Sequence, residues 1–158
     1  MPYTKKQTKQ NNSTRKRICV NGSVDCEKEG WKTVTIYGEP YERGYAHGYL
    51  LKNELKRVSS TLGFLVKEDL DISLAKYLQV CSEVIKPVVE KDFPEFYTEL
   101  VGIRDGANKR GLKISLDLLI GWNSYLSMYS YFIEGSIIKC SAFIATGNAT
   151  EKGDIVMA

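Results

Sequence analysis

Polar and apolar residues first fall into register at Lys32-Thr33-Val34-Thr35-Ile36-Tyr37, where they alternate with a period of two up to Gly38. That alternation predicts a strand. From Pro40 the period lengthens, and Gly44, Gly48, Leu51, Leu55 and Val58 share one side of a helix expected to reach about Val58. Glycines four apart lie on one helical face and let another backbone come close. A second helix is expected from Ser73 to about Glu90, with Leu74, Leu78, Cys81 and Ile85 inward and Pro87 kinking or ending it. Phe93-Pro94 opens a third helix, through Phe96, Leu100 and Ile103, which stops by Gly111. Ser115-Leu116-Asp117 reads as the N-terminus of a fourth, carrying Leu118, Leu119, Trp122, Tyr125 and Leu126.

The pattern returns to strands at the end of the chain. Residues 141–146 are strand formers, Gly147 to Gly153 carry turn signals, and residues 154–158 begin a second apolar strand. A hairpin opening at Cys140 follows. One strand, four helices and a hairpin separate a helical layer from a sheet, which points to an α+β or layered α/β architecture rather than βαβ units. The sequence ends 18 residues after Cys140, within an apolar strand, so the expectation is the front part of a longer enzyme.

Charge changes the picture only at the N-terminus. Residues 1–17 hold six basic side chains and no acid. Removing these from the 22 basic residues leaves 16 against 19 acidic ones, so the body carries a formal −3 although the chain is +3. Residues 1–31 are read as a basic disordered tail and linker and 32–158 as the folded domain, with no basic surface to argue for nucleic acid. No apolar run reaches the roughly 20 residues of a membrane span, and no secretory leader is evident, so a cytoplasmic protein is expected. The acceptor sequons at Asn12, Asn21 and Asn148 would matter only in a secreted chain. Cys19 and Cys26 flank a polar turn and could pair if oxidised; Cys81 reads as a small core residue.

The chain has one histidine, which excludes much chemistry. It has no HExxH, CxxC pair or EF-hand loop, so no metal site is expected, and no GxGxxG or GxxxxGK[ST] phosphate cradle, so no cofactor is expected. A Cys-His pair between His47 and Cys140 is open, though His47 reads more simply as a helix residue held by a local hydrogen bond. One arrangement needs no histidine. Cleavage before Cys140 would free an α-amine with a pKa of about 7.7–8.0, able to serve as base for its own thiol.

Two segments, GEPYERGYAHGYLLKNEL at 38–55 and KCSAFIATGNATEKGDIVMA at 139–158, resemble the two signature regions of the penicillin-acyltransferase-like family of autoproteolytic acyltransferases and amide hydrolases. The helical stretch around Asp117 to Asn123 is similar in layout, so the resemblance covers about 32–158. It implies an N-terminal-nucleophile hydrolase fold, an αββα sandwich, present here as the helical α region (32–139) and the first core strands of the β region (140–158). It implies self-cleavage between Lys139 and Cys140, with Lys139 standing where family members often carry glycine. Cys140 would then be the catalytic nucleophile, passing an acyl group through a thioester to water or an amine. The implied partners are a small acyl or amide substrate, acyl-CoA among them, and the remaining β-region polypeptide. Groups for the oxyanion and acyl chain would fall mostly beyond Ala158. A phospholipase-B-like lipid hydrolase and a non-catalytic remnant or interaction module are the alternatives.

Overall fold

The computed structural model describes residues 17–26, 31–133 and 143–157. The chain is α+β, in the order β1(Arg17–Cys19), β2(Gly22–Cys26), β3(Lys32–Ile36), α1(Pro40–Leu50), α2(Lys52–Leu70), α3(Leu74–Val84), α4(Lys86–Asp92), α5(Pro94–Lys109), α6(Leu116–Phe132), β4(Ile144–Gly147) and β5(Gly153–Met157). It divides into two compact units, residues up to Ser124 and residues from Tyr125.

In the first unit, β1, β2 and β3 form an antiparallel sheet in that order, with Arg17 opposite Val24 and Val24 opposite Val34. The expected strand at 32–37 is β3. Strands β1 and β2 correct the reading of 1–31 as tail and linker, since ordered backbone starts by Arg17 inside that stretch. The register also separates the two cysteines expected to be able to pair. Cys19 lies opposite Gly22 at the turn, whereas Cys26 lies opposite Lys32 at the far end of β2. At about 3.4 Å of rise per residue the backbones are well beyond disulfide reach, and Cys19 is a free thiol.

The helix expected from Pro40 to Val58 is instead two helices, broken at Leu51 (φ −104°, ψ 27°), and the second runs on to Leu70. No proline or glycine marks that break. The helix expected from Ser73 is likewise two, and here the cause is legible: Pro87 has no N–H to donate, and the helical hydrogen bonding is interrupted at Ile85. Pro94 opens α5, and Gly111, at φ 79°, follows its end as expected. Ser115 Oγ accepts from the Leu118 N–H (3.1 Å), the cap predicted for α6.

The core of this unit forms where Leu55, Val58, Leu62 and Val66 of α2 turn inward with Tyr77, Val80 and Cys81 of α3 and Leu119 and Ile120 of α6. Tyr77 is fully buried, and its hydroxyl donates to the Gly121 carbonyl at 2.8 Å, so its one polar atom is satisfied. Cys81 is fully buried, as expected. The second unit holds the C-terminal part of α6 and the β4–β5 hairpin, with Gly147 (φ 56°) and Gly153 (φ 74°) bounding its turn. The hairpin matches the sequence expectation, and Ile155, Val156 and Met157 on β5 are exposed.

The contact that orients α1 is made of backbone. A methyl placed on Gly44 would lie 2.0 Å from the Glu99 carbonyl oxygen, and one on Gly48 would lie 2.0 Å from that of Ile103. From the other side, a methyl on Gly102 would lie 2.3 Å from the Tyr41 carbonyl oxygen and one on Gly106 2.1 Å from that of Tyr45. The partners advance together along both helices, so α1 and α5 run parallel through a reciprocal seam of four glycines. Real Cβ atoms do not occupy such distances, so any side chain would force the helices apart. We therefore expect Gly48→Ala to destabilise the chain by about 1–3 kcal/mol through overpacking. Gly63→Ala in α2, where the added methyl meets only Leu74 at 3.7 Å, should stabilise by about 0.5–1 kcal/mol. Urea unfolding midpoints of the two variants check the opposite signs.

Candidate functional site

The first unit presents its chemistry on the two flanks of this seam. Helix α1 starts from a reciprocal cap: the Glu39 side chain accepts from the N–H of Glu42, and Glu42 Oε2 accepts from the Glu39 N–H at 3.0 Å. Asn21, in the β1–β2 turn, donates to the same Glu42 oxygen (3.3 Å) and to the Tyr37 carbonyl (3.4 Å). Tyr37 returns a hydroxyl bond to Val20 O at 2.8 Å. The small sheet and the start of α1 are thereby fixed to each other.

On one flank, Arg43 donates to Gly38 O and to Glu99 Oε2, each at 3.0 Å, tying the loop before α1 to α5. Both side chains of this ion pair are about one-third exposed, so its value is orientation more than stability. One turn on, His47 is half-buried. Burial pushes its imidazole below the ordinary value of 6.5, while the Glu99 carboxylate pulls the other way and only in part offsets it. His47 is thus a neutral imidazole near pH 7. Below this flank, Arg43, Asp92, Phe93, Pro94, Glu95, Phe96 and Glu99 line an open cleft of about 510 Å³.

On the other flank, Tyr41, Tyr45 and Tyr49 stand one turn apart, with ring centres 6.3 and 6.2 Å apart. Arg110 closes the row with its guanidinium 4.8 Å from the Tyr49 ring centre. The Tyr41 hydroxyl donates to Asp105 Oδ2 (3.2 Å), and Arg104 Nε donates to Asp105 Oδ1 (2.8 Å). Arg104, more than the phenol, holds the Asp105 carboxyl below its ordinary range. Partial desolvation and the bond to Asp105 push the Tyr41 phenol up.

The expected cleavage site between Lys139 and Cys140, and with it the expected nucleophile Cys140, lies outside the described residues. Described on either side of them are α6, ending at Phe132, and β4, starting at Ile144. The segment at 38–55 is fully described: its Gly44 and Gly48 supply one side of the seam and its His47 lies beside the Arg43–Glu99 pair. Sequence reading found Gly44, Gly48 and His47 but missed Arg43, Glu99 and the tyrosine row. The row was detectable as an i, i+4, i+8 repeat. No group of three or more metal-ligating side chains occurs among the described residues, and no helix there is long and apolar enough to cross a membrane.

No family model matches the chain, and no solved structure matches it. It is similar to an uncharacterized protein of Archaeoglobus fulgidus, 35% identical over 141 residues, an alignment that covers 77% of this chain and 23% of the relative. The chain therefore spans about a quarter of that relative's length.

His47 gives the site a pH dependence of definite sign. Its folded value lies below its unfolded value of about 6.5, so the unfolded chain takes up the proton first as pH falls. His47 contributes nothing to the pH dependence well above 6.5, and stability declines as pH drops through 6.5 toward the folded value. We expect His47→Gln to flatten the stability profile between about pH 7 and 5, measured by urea midpoints at each pH. An unchanged slope would show that His47 is not the titrating group.

Proposed function

We propose that the chain belongs to an autoproteolytic amide hydrolase or acyltransferase that acts on linear C–N amide bonds through a thioester at Cys140. The observation that carries this reading is the co-occurrence of the two segments at 38–55 and 139–158. Three features are compatible with it. The first segment uses its glycines for backbone contact, the second leads into a hairpin, and His47 is not needed as a base.

The chemistry balances without a cofactor. Cys140 Sγ attacks the Lys139 carbonyl carbon, the bond from that carbon to the Cys140 nitrogen breaks, and the nitrogen gains the thiol proton. Water then hydrolyses the thioester to a Lys139 carboxylate and a free thiol. When an external amide is attacked, the new α-amine, partly neutral near pH 7, takes the thiol proton, Sγ bonds to the acyl carbon, the substrate C–N bond breaks, and the departing amine leaves with that proton. The acyl group leaves Sγ to water or to an acceptor amine.

Expression of the whole reading frame that encodes this chain, followed by intact-mass measurement, tests the proposal. Two fragments meeting at Lys139–Cys140 are expected, a single uncut chain for Cys140→Ala, and slow cutting for Cys140→Ser, whose hydroxyl is the poorer nucleophile at neutral pH. Unchanged cutting in the Ala variant would remove Cys140 from the mechanism, and an uncut wild-type chain would overturn the reading.

A further inference from the structure

The β1–β2 turn meets two separate structural demands that together create a reactive pair. Position 22 must be glycine for packing, since a methyl there would lie 2.6 Å from the Thr35 carbonyl oxygen and 3.2 Å from Leu50 Cδ1. Position 21 must supply two donors: Asn21 Nδ2 reaches Glu42 Oε2 at 3.3 Å and the Tyr37 carbonyl at 3.4 Å. The Asn21 carbonyl in turn accepts from the Tyr37 N–H at 3.1 Å. The result is an asparagine–glycine pair, and Asn21 is the one asparagine of the chain followed by glycine. Its side chain is partly exposed, so water has access to it. A glycine nitrogen, with no Cβ beside it, closes on a preceding asparagine side chain with little steric hindrance.

We propose that Asn21 is a site of spontaneous deamidation whose product releases the β1–β2 turn from the start of α1. The Gly22 nitrogen bonds to Asn21 Cγ, the Cγ–Nδ2 bond breaks, and Nδ2 departs as ammonia with the proton from Gly22. Water then opens the succinimide ring at either carbonyl, leaving aspartate or isoaspartate at position 21. Ring closure turns Cγ away from Tyr37 and Glu42 and toward the Gly22 nitrogen, so both side-chain bonds open first and the fold sets the rate. The product cannot remake them. Its carboxylate oxygens only accept, as do the Tyr37 carbonyl and Glu42 Oε2. A new negative charge also stands beside the Glu42 carboxylate, which stays in place because it accepts from the Glu39 N–H at 3.0 Å. The isoaspartate form adds a backbone carbon to a turn that the pairing of Cys19 with Gly22 holds tight. The inference is independent of Cys140.

The test incubates the full chain at neutral pH beside a synthetic peptide of residues 20–25 and follows, by peptide mass, the replacement of an amide NH2 by OH at each asparagine. Incubation runs until one of Asn21, Asn53, Asn108, Asn123 and Asn148 converts. Asn21 is expected first, at a rate about tenfold or more below that of the peptide, the weight of two ordinary hydrogen bonds. Asn21→Asp, which imitates one product, should lower the thermal midpoint of the chain. Adding Glu42→Gln, which removes the facing charge and keeps an acceptor for the Glu39 N–H, should recover part of that loss. Conversion of another of these asparagines before Asn21, a rate in the chain equal to that in the peptide, or an Asn21→Asp chain as stable as the parent would overturn the assignment. So would a loss that Glu42→Gln leaves untouched.

Discussion

Four glycines that allow two helical backbones to touch are the constraint on which the described part of the first unit depends. Gly44 and Gly48 on α1 meet Gly102 and Gly106 on α5, with the Glu99, Ile103, Tyr41 and Tyr45 carbonyls filling the space that side chains would need. Each glycine costs a helix about 0.5–1 kcal/mol relative to alanine, and the seam returns this through dense backbone packing and Cα–H···O contacts. Because the crossing leaves no slack, the rotation of α1 is set. At 100° per residue, Arg43 and His47 emerge on one flank and Tyr41, Tyr45 and Tyr49 on the other. The ion pair to Glu99 and the hydrogen bond to Asp105 are consequences of that rotation, not its cause.

The seam also explains how sheet and helices are coupled. Fixing α1 against α5 fixes the capping box at Glu39 and Glu42, and with it Asn21 and the β1–β2 turn. Partly exposed groups supply these links, and each is worth little alone. Their collective effect is alignment: β3 arrives beside α2, which sets Trp31 next to Glu54. His47 pays a desolvation penalty for its place beside the seam and stays neutral, a state suited to packing and hydrogen bonding rather than to charge pairing.

Much of this organisation was legible because it rests on local backbone chemistry. Pro94 and Gly111 mark the ends of α5, Ser115 caps α6, and Gly147 and Gly153 frame the final hairpin at positive φ. The strands β1 and β2 were not legible: Asn21, Gly22, Ser23 and Asp25 read as a polar turn, and the adjoining basic residues read as tail. Only pairing with β3 and cover from α1 makes them strands, a tertiary effect that overrides local propensity. The break at Leu51 lacks any breaker residue, so periodicity ran straight through it. The partner of Gly44 and Gly48 was hidden by sequence distance, although Gly102 and Gly106 repeat their spacing and could have been matched to them. At the candidate catalytic position, Cys140 was found through resemblance and an N-terminal amine argument, whereas ion pairs such as Arg43–Glu99, 56 residues apart, follow only from the fold.

The central functional claim is that Cys140 becomes a chain terminus whose amine serves its own thiol. An N-terminal cysteine is a 1,2-aminothiol and condenses with an aromatic nitrile to a thiazoline, a reaction closed to internal cysteines. The protein expressed from its whole reading frame should therefore take up one such label, mapped by peptide mass to Cys140. Absence of that label, while Cys140 reacts readily with an ordinary thiol alkylating agent, would show an internal residue and contradict the account.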